Sequence, residues 1–133
     1  MNTAEQRAIL TLCLMAAFAD GANSERERAE IRRITDTLDA NGALDASAIY
    51  QEVLLRKPDL ATVVATVTQP DKRQFAYEMA VCVCDADGST LPAEREFLAW
   101  KTGLETARRA WQATPDASKY DALLMGAALT QAQ

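Results

Sequence analysis

The stretch from Met79 to Trp100, MAVCVCDADGSTLPAEREFLAW, decides the fold, because a second version of its pattern stands earlier, at Leu12 to Ile34, LCLMAAFADGANSERERAEIRRI. In each, a small apolar run ends at Asp-Gly, and a glutamate follows the aspartate by seven positions: Asp20-Gly21 with Glu27, and Asp87-Gly88 with Glu94. Both the aspartates and the glutamates are 67 residues apart, about half of the 133-residue chain. The pattern reads as an internal duplication of a helix, a DG loop and a second helix, with repeat units spanning about residues 3–41 and 70–108.

Outward from these units the helical period dominates. Thr3 with Gln6 reads as a capping box for a first helix whose apolar set, Ile9, Leu10, Leu12, Cys13, Leu14, Ala16, Ala17 and Phe18, is broad enough to make it central. Glycine at Gly21 suits the left-handed turn that stops it. Ser24 with Glu27 forms a second capping box, after which Ile31, Ile34 and Leu38 share one face while Glu25, Arg26, Arg28, Arg32, Arg33 and Asp36 face water. Asn41-Gly42 ends that helix. Asp45 caps a third, with Ile49, Val53 and Leu54 inward, and Pro58 forbids its continuation. Leu60 to Val67 has strand propensity, yet Leu60, Val63, Val64 and Val67 fit a helical face and no second strand exists to pair with it, so a short helix is expected. Pro70-Asp71 opens a fifth helix with an inward stripe of Phe75, Met79, Cys82 and Val83. Leu91-Pro92 restarts the chain toward Phe97, Leu98 and Trp100. Gly103 breaks it, Leu104 to Ala113 makes another helix with Trp111, and a last helix after Pro115-Asp116 carries Tyr120, Leu123, Leu124, Ala127 and Ala128. The expected fold is all-α, a single compact bundle of seven or eight short helices.

The bulk properties narrow the function. A net charge of −5 argues against a nucleic-acid backbone as partner and suits cations or basic proteins. With no histidine, the commonest general base and transition-metal ligand is missing, and no GxSxG, P-loop or GxGxxG supports nucleophilic or nucleotide chemistry. Cys13, Cys82 and Cys84 are odd in number, lack a CxxC spacing and lie in apolar runs, which reads as buried free thiols of a reducing compartment. AILTLCLMAAFA before Asp20 imitates a signal-peptide core, but Glu5 cancels Arg7 in its flank and cleavage would delete a repeat helix. The expectation is a cytoplasmic chain with no membrane insertion, peripheral association staying open.

Ala19-Asp20-Gly21 with Ser24 and Glu27, and Ala86-Asp87-Gly88 with Pro92 and Glu94, in a small acidic helical chain, resemble the TerB-like family of tellurite-resistance and stress-response proteins. The resemblance covers most of the chain in layout, and its specific motif content is these two units. It implies an all-α fold with two repeats about a pseudo-two-fold axis, a cluster of acids that binds metal ions, and a module that couples to protein partners. Two features depart from an even repeat. Leu91 stands where the first unit has Ser24, and the fifth helix carries Cys82 and Cys84 without a family signature.

From the residues themselves, Asp20, Glu27, Asp87 and Glu94 are candidate ligands of a hard cation, calcium, magnesium or manganese, because carboxylate oxygens suit such ions. Asp85 joins them through DADGSTLPAERE, where Asp85, Asp87, Ser89 and Glu96 fall at positions 1, 3, 5 and 12 of an EF-hand loop. Its glycine at position 4 and Pro92 at position 8 break that pattern. The competing account is structural: aspartate favours turns, and acids in a first helical turn gain about 0.3–1 kcal/mol from the helix dipole. Leu91 cannot cap through its side chain although Glu94 keeps its place, which favours a role beyond capping. Two functions follow as expectations: a non-enzymatic, cation-binding, partner-engaging module, or a metal-independent scaffold with an apolar groove between the repeats. A hydrolase with paired carboxylates would need one acid in a hydrophobic pocket, which the spacing does not indicate.

Overall fold

In the computed structural model, which describes residues 2–19, 25–39, 44–86, 95 and 97–113, Asn2 rather than Thr3 opens the first helix. Its Oδ1 accepts from the Glu5 backbone N–H at 2.8 Å, and its own N–H donates to Glu5 Oε1 at 3.2 Å. The capping box therefore lies one residue earlier than Thr3–Gln6 would place it, since asparagine is among the strongest N-caps. Gln6 is released for another use, and its amide donates to the Leu38 carbonyl at 2.8 Å.

Helix α1 (Thr3–Phe18) is buried on every side from Ala8 to its end, which makes it the axis of the molecule. Around it pack α2 (Glu25–Leu38), α3 (Ala46–Arg56), α4 (Leu60–Thr66) and α5 (Pro70–Cys84). Ile31, Ile34 and Leu38 bury the inner face of α2 as the period requires, and the Gln6–Leu38 bond ties its end to the start of α1. The two helices are therefore antiparallel.

Asp45 caps α3 by accepting from Ala48 N–H at 3.1 Å, and Pro58 follows its end. Between them Lys57 takes the left-handed conformation, φ 48° and ψ 69°. The β-branched run with strand propensity is α4, capped by Asp59. Arg73 closes its other end, donating from Nε to the Val67 carbonyl at 2.5 Å.

Pro70 starts α5 at a position where no N–H is needed. Its inner stripe differs from the expected one. Ala76, Ala80, Val83 and Cys84 are buried, Phe75 and Met79 are half-buried, and Cys82 is exposed. Ala76, Ala80 and Cys84 recur every four residues, so one small-residue face meets α1. Large residues would hold the helices apart.

The two helices run parallel. At one end Lys72 Nζ stands 3.2 Å from Glu5 Oε1; at the other the Cys84 thiol lies 3.9 Å from the Ala16 carbonyl oxygen. The paired residues are 67 and 68 apart in sequence.

Arg95, Phe97 and Leu98 are helical and lead into a 3-10 turn, Ala99–Lys101, before α6 (Leu104–Ala113). Phe97 and Trp100 are buried as expected. Helix α6 is fastened to the α3–α4 connection: Trp111 Nε1 donates to the Pro58 carbonyl at 2.8 Å, Arg108 meets Asp59 at 2.7 Å, and the Lys57 ammonium lies 5.6 Å from the Trp111 ring centre while donating to the Gln112 carbonyl. Among the described residues the chain is all helical, with six α-helices and no strand. The expected last helix, with Tyr120, Leu123, Leu124, Ala127 and Ala128, lies outside the described residues.

Candidate functional site

Parallel packing of α1 and α5 puts their C-termini at one end of the bundle. The antiparallel α2 brings its first turn back to that same end. Of the five acids singled out from the sequence, Glu27 and Asp85 are described, whereas Asp20, Asp87 and Glu94 lie outside the described residues. Glu27 sits in the first turn of α2, only 3% exposed. A carboxylate there faces the positive end of the helix dipole and is held out of water, where its attraction for any nearby positive charge is strengthened. Asp85 is the C-cap of α5; its backbone N–H donates to the Val81 carbonyl at 2.9 Å and its side chain is exposed. Glu27 and Asp85 thus share an end of the molecule but differ in burial. Among the described residues no group of three or more acids or cysteines is placed to hold a metal ion.

The thiols follow the sequence reading in two cases out of three. Cys13 and Cys84 are buried and free; Cys82 is free but exposed. Burial, with Cys82 and Glu30 nearby, pushes the Cys13 thiol far above its ordinary range. Such a thiol is inert at neutral pH.

Two concave surfaces escaped the sequence reading. One is a groove of about 330 Å³ between α1, α3 and α4, floored by Ala8, Ile49, Val53 and Val63, with the Arg7–Glu52 ion pair among its walls. The other, of about 380 Å³, is lined by Tyr77, Arg95, Leu98, Ala99, Lys101 and Thr102. Neither has a local motif, since each gathers residues from distant segments. The Glu5–Lys72 pair did carry a signal: its offset of 67 equals that of the DG units.

Among the described residues no helix is long and apolar enough to cross a membrane. No curated protein and no solved structure matches the chain. A family model described as "Protein of unknown function (DUF533)" matches residues 1–110, and the chain belongs to that family.

Proposed function

We propose that this chain is a non-enzymatic stress-response module, resembling the TerB-like proteins, that takes up a divalent cation through its paired Asp-Gly…Glu units and engages a protein partner. The observation that carries the reading is the parallel α1–α5 pair, which meets at sequence offsets of 67 and 68. A duplication folded about an axis running along the two helices would bring each residue against its own equivalent, as Glu5 meets Lys72. On that reading the DG segments follow helices whose C-termini lie together, and the buried Glu27 of α2 stands at the same end. Carboxylate oxygens on a partly dry surface suit calcium, magnesium or manganese. Glu27 and Asp85, with Asp20, Asp87 and Glu94, would supply the donors, and the bound ion would offset their mutual repulsion and order the acidic end for a partner.

The test is a thermal melt of chelator-treated protein with calcium, magnesium, manganese or zinc added singly, beside the Asp20→Asn/Asp87→Asn double variant. At a hundred times its dissociation constant, an ion that binds only the folded state adds about 2.7 kcal/mol, several degrees for a domain of this size. The expected result is a shift with one hard cation that the double variant loses. Absence of a shift with every ion would transfer the assignment to the metal-independent scaffold. The groove between α1, α3 and α4 offers that second reading a surface, although it lies beside the first repeat unit and not between the two.

A further inference from the structure

We infer that the concavity bounded by Tyr77, Arg95 and Lys101 binds an acidic peptide segment of a partner protein. In a chain of net charge −5, cations are expected to be paired, and several are: Arg7 with Glu52, Lys72 with Glu5, Arg108 with Asp59. Arg95 and Lys101, like Arg26 and Arg56, are exposed and make no ion pair among the described residues, but these two line one hollow together.

Lys101 is nonetheless held in place. Its ammonium lies 5.1 Å from the Tyr77 ring centre and donates to Gln74 Oε1, a neutral acceptor. Gln74 in turn donates to Glu78 at 3.0 Å, which engages the one acid of α5 beside Tyr77. Tyr77 is itself fixed, edge-on to the buried Trp100 at 6.1 Å. The cation and the ring are therefore pre-organised, which lowers the entropy cost of binding.

Tyr77, Leu98 and Ala99 supply its apolar floor, and Thr102 also lines the hollow. A volume of about 380 Å³ far exceeds a phosphate or a single carboxylate, and such small anions would gain nothing from the floor. Acidic side chains on Arg95 and Lys101, flanking an apolar side chain laid on Tyr77 and Leu98, use every feature present. The surface is distinct from the acidic end and needs no cation.

Two indole N–H resonances make the site observable. Trp111 Nε1 is hydrogen-bonded to Pro58, whereas Trp100 Nε1 is buried with no hydrogen-bond partner among the described residues, so the two signals should separate. Nitrogen–proton correlation spectra would be recorded while adding the N-acetylated, amidated tripeptide Glu-Phe-Glu, its Gln-Phe-Gln counterpart, or inorganic phosphate. The proposal expects a saturable shift of the Trp100 indole and Thr102 signals with the acidic peptide, no shift of Trp111, and an affinity at least ten-fold weaker in Arg95→Gln/Lys101→Gln. Because both substituted side chains are exposed, that variant should keep its spectrum elsewhere. No saturable shift, equal binding by the variant, equal binding of the Gln peptide, or an equal response to phosphate would each overturn it.

Discussion

Lys57 is the residue whose backbone is most at odds with its identity. It is the one described non-glycine residue at positive φ, 48°, and it ends α3 directly before Pro58. The left-handed conformation costs an ordinary L-residue roughly 1–2 kcal/mol, and the side chain offsets this by stacking on Trp111 and donating to the Gln112 carbonyl. Lys57→Asn and Lys57→Val both lose those contacts, but only asparagine tolerates the backbone. Urea melts should place Lys57→Val below Lys57→Asn by about 1–2 kcal/mol; equal stabilities would mean that the turn relaxes.

At the scale of the element, the α1–α5 contact depends on small residues. Ala76, Ala80 and Cys84 leave room for α1 to approach, so a larger side chain at Ala80 has nowhere to go. Ala80→Leu should cost about 1–3 kcal/mol through overpacking. Cys82→Leu, at an exposed position, should stay within about 0.5 kcal/mol of the parent in a denaturant melt. The reverse order would restore the stripe read from the helical spacing of apolar residues, Phe75, Met79, Cys82 and Val83. That stripe follows hydrophobicity, and hydrophobicity ranks Met79 above Ala80. Which side faces inward is decided by how closely the neighbouring helix must come.

For the whole molecule, two carboxylates tie separate helices together and make the fold acid-sensitive. Asn2 donates its backbone N–H to Glu5 and the Lys72 ammonium stands beside it; together these outweigh burial and hold the carboxyl below its ordinary 4.5. The Arg108 guanidinium, with the Thr62 groups, likewise lowers Asp59 below 3.8. Since both folded values are depressed, the stability they contribute is complete above the ordinary carboxylate range and is lost as pH falls through the lowered values. Urea melts at pH 7, 5 and 3 should show that loss, and Glu5→Gln should be less stable at pH 7 with a shallower decline. Parallel curves for variant and parent would remove Glu5 from the account.

Much of this architecture was legible in the residues. Helix starts at Asp45 and Pro70, the stop before Pro58, the inner face of α2 and the broad apolar run of α1 rest on local rules of capping, proline geometry and 3.6-residue period, so sequence alone determines them. Thr3–Gln6 places the first cap one residue late, because Asn2 and Thr3 are both good caps and asparagine is the stronger of the two. Of the candidate site, the sequence supplied the acids and their matched spacing. What it could not supply was that α1 and α5 run parallel, that Glu27 is buried while Asp85 is exposed, or that Tyr77, Arg95 and Lys101 share one hollow. Those facts belong to contacts between segments far apart in the chain, and packing between helices, rather than any local preference, decided them.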